Sequence, residues 1–529
     1  MQEKGVSNRD IDIANRYHTV TKRLYLPLEH KPLAYKPYPN LDPIFLPTDM
    51  VSLEVSTLEA VGDCVSSEGT GQTLDLASLA TLLFYTAGRI RQRDFADAGT
   101  VTFRAASSAG GLYPIEVYVV CGDLSGLAAG VYHFSPMDFA LRRLREGDYR
   151  HVLSQAAGDD AGVATGPVTL VFSAIFWRSA WKYQARSYRY CFWDNGTMGA
   201  NLLATAAAMK LSAKVLVGFV DNQINQLLGL ETQREASLCL APVGHVGERP
   251  LVGALDTASP LVMETVAGAD EEIHYPEMSR LHAASELNTL EEVVAWRSPI
   301  SLPSEQFLGA QYPLAADIPS TGSLGEVIRQ RGSTRRFARD AMSHAQLSAI
   351  LRHATTGLSA DFLDSEGATL IQPYLIVNAV DGLSSGSYAF SSADQTLICL
   401  QEGTFREEAG HLCFEQALGA DASVVMFFMA NLDAVLKHFG NRGYRATQLE
   451  AGVIGGRMYL CAYALGLGAS GLTFFDDEVT AFFSPTAADL RAIFVVALGK
   501  TASENSVRPF RSRLGMKIDA LSRRDTPTL

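Results

Sequence analysis

The sequence predicts an α+β protein made of two tandem copies of one domain, packed against each other as an intramolecular pseudo-dimer. Two observations carry this prediction. Ten residues, Gly126-Leu-Ala-Ala-Gly130-Val-Tyr132-His-Phe134-Ser135, return 256 positions later as Gly382-Leu-Ser-Ser-Gly386-Ser-Tyr388-Ala-Phe390-Ser391. The same offset maps Glu146-Gly147 onto Glu402-Gly403, Tyr188-Arg189 onto Tyr444-Arg445, Gly196 onto Gly452 and Phe219-Val-Asp221 onto Phe475-Asp-Asp477. Upstream the offset drifts, as loop insertions require: Arg16-Tyr-His18 matches Arg280-Leu-His282, and Leu79 to Leu83 matches Leu347 to Leu351. The period far exceeds the roughly 20 to 50 residues of a solenoid repeat, so each copy is a whole domain. The second observation is that each copy mixes Ala/Leu/Met-rich stretches with short β-branched and aromatic runs.

Taken in order, the Pro-rich stretches 31–47 and 298–319 read as irregular arms. Residues 115–120, 168–172, 375–377 and 424–428 read as buried strands. Residues 198–209 and 454–465 read as helices, each followed by a short β-rich stretch, 215–220 or 472–475. These elements divide the chain into an arm (1–50), a first domain (51–255), a linker with the duplicated arm (256–322) and a second domain (323–529).

Of the 529 residues, 47% are hydrophobic and 19% charged, which excludes disordered and coiled-coil classes. The net charge is −13 and no run of five basic residues occurs, so a nucleic-acid partner is not expected. The N-terminal MQEKGVSNRD lacks the apolar core of a signal peptide, and the longest apolar runs fall far short of the roughly 20 residues that span a bilayer. A cytoplasmic protein without membrane contact is expected. Seven cysteines without a CxxC suggest neither a disulfide framework nor a zinc site.

Gly466-Leu-Gly468-Ala-Ser-Gly471 fits GxGxxG, but a dinucleotide site needs a strand before it and a helix after. Here a helix comes first, so capping of that helix explains the glycines better. HExxH, GxSxG and a Walker lysine are all missing. Two segments carry more. Arg331-Gly-Ser333-Thr-Arg335-Arg336-Phe337 sets cations and a hydroxyl just before a helical pattern at 344–353, an arrangement suited to a phosphate and equally open to reading as a solvated turn. Phe103-Arg104-Ala-Ala-Ser107-Ser108-Ala109-Gly110-Gly111-Leu112-Tyr113-Pro114 offers small residues against which a flat ligand can lie, or simply a tight turn.

The segment FRAASSAGGLYPIEVYVV, the later GLAAGVYHF and the arm pieces ANRYHTVTK and YKPYPN together resemble the nitroreductase superfamily. Within it they resemble the SagB/ThcOx-type dehydrogenases, which include azoline oxidases, and RGSTRRF resembles the superfamily's Arg-x-Ser-x-(Arg/Lys)-x-Phe entry motif. The resemblance covers almost the whole chain. It implies two tandem nitroreductase-like domains and FMN at their interface. By that analogy the phosphate is gripped by Arg331, Ser333 and Arg335 with the terminal Arg511 and Arg513. The ring is expected on Ser107, Ser108, Ala109 and Gly110, flanked by Gly471, Leu472, Thr473 and Phe474, with Arg104 also counted among the cofactor-binding residues.

The two copies have diverged in complementary ways. Projecting the phosphate grip back onto the first copy lands on Asp63, Val65 and Ser67, in a loop with no cation and two acids, which repels a dianion. The second copy reads Ser359-Ala-Asp-Phe-Leu-Asp-Ser-Glu-Gly in place of the Ser-rich loop. One FMN per chain is therefore expected.

Azoline oxidases carry a catalytic Lys-Tyr pair, which Lys182-Tyr183 resembles; the second copy has His438-Phe439 there. The resemblance implies oxidation of a peptide- or carrier-bound thiazoline or oxazoline to the azole in natural-product biosynthesis. Lys182 would be the base, Tyr183 would hold its amine or donate to developing charge, and dioxygen would reoxidise the cofactor. Partners implied by analogy are a cyclodehydratase or an assembly-line carrier domain. A monomer suffices, since the pseudo-dimer is internal. An NAD(P)H-dependent nitro- or quinone-type reductase and a flavin-free scaffold of a peptide-modifying complex are the alternatives.

Overall fold

The computed structural model describes residues 7–21, 32–63, 74–95, 99–245, 258–266, 268–269, 272–297, 300, 307–317, 319–363 and 368–502. Arg511, Arg513, Val65 and Ser67 lie outside the described residues.

Each half is an antiparallel sheet covered by helices. In the first, the strand order is Pro43–Phe45, Ala140–Glu146, Gly130–Ser135, Ile115–Cys121, Val168–Ile175, Glu235–Val243. The second repeats it as Ala310–Pro313, Thr396–Glu402, Gly386–Ser391, Gln372–Val377, Val424–Ala430, Arg491–Gly499, and adds Gly468–Gly471 at the far edge. The middle strands are buried along their whole length, which explains their unbroken apolar runs. Both arms differ from the irregular chain expected, because each donates a short edge strand that pairs with the neighbouring hairpin.

The central helices, Ser187–Ala208 and Arg442–Ala464, are longer than the 198–209 and 454–465 expected. Their first two turns hold Tyr, Arg and Gln, polar types that composition reads as surface, yet almost every residue of both helices is buried. The helices cross where Gly196 meets Gly452. A Cβ on Gly196 would stand 2.6 Å from the Gly452 Cα, so only two glycines permit this approach. After the second helix, Gly466 takes φ +73° and turns the chain into Gly468–Gly471, so the glycines do end a helix and the strand begins earlier than 472. In the first half the 215–220 stretch makes only isolated bridges.

Reciprocal ion pairs lock the halves together. Arg186 Nη1 donates to Asp476 Oδ2 at 2.8 Å, and Arg189 reaches the other carboxylate oxygen. In the mirror arrangement, Arg442 and Arg445 donate to the two oxygens of Asp221 at 2.5 and 2.9 Å. The true register therefore pairs Asp221 with Asp476, one residue off the constant offset that pairs it with Asp477. The six described cysteines are buried and form no disulfide with one another, and no helix among the described residues is long and apolar enough to cross a membrane.

Candidate functional site

A cavity of about 350 Å³ opens between the halves. The first copy contributes Ser107 to Gly111, Lys182, Tyr183, Tyr190, Trp193 and Asp194; the second contributes Arg331, Ser333, Arg335, Tyr459 and the loop Gly471 to Thr473. The two segments and the Lys-Tyr pair singled out in the sequence thus meet at one place.

The Ser-rich loop is held open by backbone geometry. Gly110 and Gly111 take φ +65° and +67°, a conformation side chains rarely adopt. A Cβ on Gly110 would stand 2.8 Å from Tyr183 Oη and 3.3 Å from Lys182 Nζ. Lys182 and Tyr183 end the helix Phe176–Tyr183 and so project onto this loop, with Lys182 Nζ 5.3 Å from the centre of the tyrosine ring. Burial, followed by Tyr190 and Asp194, raises the Tyr183 phenol above its ordinary pKa, so it remains a hydrogen-bond donor at neutral pH.

On the opposite wall, Arg331 Nε and Nη2 donate to the Ala105 carbonyl at 3.1 and 2.9 Å, stitching the second copy to the loop of the first. Ser333 Oγ lies 3.2 Å from Tyr459 Oη, which also accepts from the Gly471 amide at 2.6 Å. Arg335 is exposed and makes no hydrogen bond or ion pair among the described residues. It is a cation at the rim of a concave site, positioned for an anionic group. Trp193 and Phe494 stack at 4.9 Å to form an aromatic wall.

Two expected ligand residues face elsewhere. The Arg104 guanidinium donates to the Ile115 and Ala34 carbonyls at 3.2 and 2.6 Å, so although Arg104 lines the cavity, its charge ties the arm to the loop. Phe474 is buried under Arg186 and does not line the cavity; Phe494 from the last strand does. Asp194, Tyr190, Trp193, Thr197 and Tyr459 were missed because they lie inside helix-like sequence. Asp194 carries a legible signal, since the constant offset places an acid, Glu450, at its counterpart.

In the other half, the chain itself occupies the counterpart of the loop at Leu472 and Thr473. The Asp361 carboxylate accepts the Val217 and Gly218 amides, each at 2.8 Å, and the Nε–H of Arg297 at 3.1 Å. Trp296, 2% exposed, packs on Gly218, where a Cβ would meet its ring at 2.8 Å. Strand register makes Gly218 the counterpart of Thr473, because Leu216 opposes Leu240 as Gly471 opposes Val496.

Fold and site together define a duplicated α+β protein with one composite cavity between its halves. The nitroreductase family model matches residues 75–245 and 328–500, and the chain belongs to that family, carrying its domain twice. A Methanocaldococcus jannaschii protein named as a nitroreductase is 30% identical over 172 residues, covering 32% of this chain and 81% of its own. The microcin B17-processing protein McbC of Escherichia coli is 29% identical over 157 residues, covering 29% of this chain and 57% of its own. The crystal structure of an Anabaena variabilis protein described as a nitroreductase superposes with a TM-score of 0.74 at 25% identity, covering 92% of this chain and 99% of that one. These matches agree with the expected SagB/ThcOx-type resemblance.

Proposed function

We propose that this chain is an FMN-dependent dehydrogenase that oxidises a peptide- or carrier-bound thiazoline or oxazoline to the corresponding thiazole or oxazole. One observation carries the reading: Lys182 and Tyr183 converge on Gly110 of the Ser-rich loop, in the same cavity as the cations of the second copy. Relatedness to a microcin-processing protein supports a peptide as the carrier. The residues present fit FMN. Arg335, with no hydrogen bond or ion pair among the described residues, suits a phosphate together with Ser333; a loop without side chains at Gly110 and Gly111 suits a flat ring; and Asp361, seated on the Gly218 amide in the other half, supports one cofactor per chain.

FMN, when bound, supplies the two-electron redox chemistry. The protein supplies the rest. Lys182, as neutral amine, takes the proton from the azoline α-carbon, and Tyr183, kept protonated by burial, donates a hydrogen bond to the charge that develops. Trp193, Tyr190 and Phe494 exclude water from the reacting face. A cyclodehydration must supply the substrate, which makes a cyclodehydratase or a carrier domain the natural partner. The test is aromatisation of a synthetic thiazoline peptide by FMN-loaded protein: wild type converts it and Lys182→Ala does not, whereas conversion by Lys182→Ala at the wild-type rate sinks the assignment. Membership of a family named for nitroreductases favours a second reading, an NAD(P)H-dependent reductase. Rapid bleaching of bound flavin on anaerobic mixing with NADPH would select it.

A further inference from the structure

Asp194 is a charged group that the mechanism above leaves unused. It sits on the first central helix, 4% exposed, and lines the cavity. Its Oδ2 accepts from Ser108 Oγ and its Oδ1 accepts from the Ala109 amide at 2.9 Å. Ser108 Oγ in turn accepts from the Tyr113 amide at 2.8 Å. The hydroxyl proton of Ser108 is therefore committed to Asp194 while the acid is ionised. When the acid is neutral the bond reverses: its own proton points at Ser108 Oγ, and the Ser108 proton is released toward the cavity.

The other half contains the same device. Glu450, at the matching place on the second central helix, accepts from Thr369 Oγ1 at 2.6 Å and from the Leu370 amide at 2.9 Å. Acid, hydroxyl and next-residue amide recur in both halves, so the latch is part of the duplicated frame. In the first half the latched hydroxyl lines the cavity between the copies.

We infer that Asp194 is a positioning residue that sets the direction of the Ser108 hydroxyl and thereby makes FMN binding proton-linked. The inference rests on the FMN reading of the cavity. A neutral Asp194 removes a negative charge from beside an anionic ligand and frees a donor for its acceptor edge, so both effects favour binding with proton uptake. Burial pushes the carboxyl up to about 7 against its two hydrogen bonds, which places the change within an accessible range. Of the other groups around it, Cys191 on the same helix and Tyr183 on the neighbouring one are both raised by burial and stay neutral there. Lys182, Arg331 and Arg335 line the same cavity from the other elements, and of these Arg335 acts on Tyr183.

The test is the FMN dissociation constant of the whole apo-protein, read by flavin fluorescence quenching from pH 5.5 to pH 9. The phosphate titrates in the same range, near 6, and acts equally on every variant. Asp194→Asn mimics the neutral acid, so wild type and variant should bind alike near pH 6 and diverge above about pH 7, wild type becoming at least threefold weaker by pH 8.5. Glu450→Gln should track wild type throughout. Should Asp194→Asn fail to fold, calorimetry of wild type in buffers of different ionisation enthalpy near pH 7.5 should show net proton uptake on FMN binding. Parallel profiles of wild type and Asp194→Asn, an equal displacement by Glu450→Gln, or no proton uptake would each overturn the inference. Absence of quenching in every protein at every pH would sink the FMN reading itself, and this inference with it.

Discussion

Gly110 shows how little room the reacting groups leave. It adopts φ +65°, and any side chain there points at Tyr183 Oη and Lys182 Nζ. Gly110→Ala adds about 1–2 kcal/mol of left-handed strain and displaces the ends of both side chains. The expected outcome is a drop of a few degrees in melting temperature with a turnover loss of tenfold or more; unchanged turnover would mean that Lys182 and Tyr183 act elsewhere. Lys182→Ala, by contrast, leaves the loop and the phosphate side intact. It should retain FMN while losing about 10²- to 10⁴-fold in azoline oxidation, the usual contribution of a general base. At this scale the sequence was informative about which side chains matter and silent about where charges go. Arg104 reads as part of the cofactor-binding loop, yet tertiary contacts with Ala34 and Ile115 absorb its donors.

Among the elements, the crossing of the two central helices is the contact that fixes everything else. Gly196 and Gly199 lie one turn apart on the same helix and make a direct comparison. A Cβ at Gly196 would meet the Leu449 carbonyl oxygen at 2.5 Å, and backbone cannot yield. A Cβ at Gly199 would meet Val453 Cγ2 at 3.6 Å, an ordinary contact. Gly196→Ala should therefore destabilise by about 1–3 kcal/mol or more, whereas Gly199→Ala should be neutral or stabilising by about 0.5–1 kcal/mol; thermal melts of the pair decide it. The ion-pair clamps lock the same interface. Burial works against the charge on Asp476, but Arg189 and Arg186 hold its carboxyl below its usual range. Asp476→Ala leaves two buried guanidinium groups unpaired and should cost about 3–5 kcal/mol, measured by denaturant titration.

The whole molecule behaves as a dimer whose two interface sites have taken different paths. One keeps a loop from the first copy and cations from the second; in the other, Trp296, Arg297 and Asp361 pack on the strand-end segment at Val217 and Gly218. Purified protein loaded with FMN should contain one flavin per chain, and a value of two would contradict this assignment. Duplication also shapes the pH response. Asp194 and Glu450 are both raised to about 7 by burial, so each stabilises the fold most below its unfolded value near 4. That stabilisation is lost as pH rises through about 7. The combined Asp194→Asn and Glu450→Gln variant should consequently gain melting temperature relative to wild type between pH 5 and pH 8, and a constant difference would show that neither acid is buried as described.

From the sequence alone came the duplication, the α+β class, the family resemblance and the complementary losses that point to one composite site. All of these are recorded in residue order: repeats keep register, and a missing cation or a missing Ser-rich loop is visible without coordinates. Tertiary structure alone decided which atoms meet. It paired Asp221 with Asp476, one residue off the constant offset, because strand register and not sequence spacing sets which carboxylate reaches the arginines. It turned Arg104 toward the arm, seated Asp361 on the Gly218 amide, and set Asp194 against Ser108. The physical reason is common to all three. A buried charge or hydrogen-bonding group is satisfied by whatever partner the packed fold brings within 3 Å, and that partner can lie hundreds of residues away.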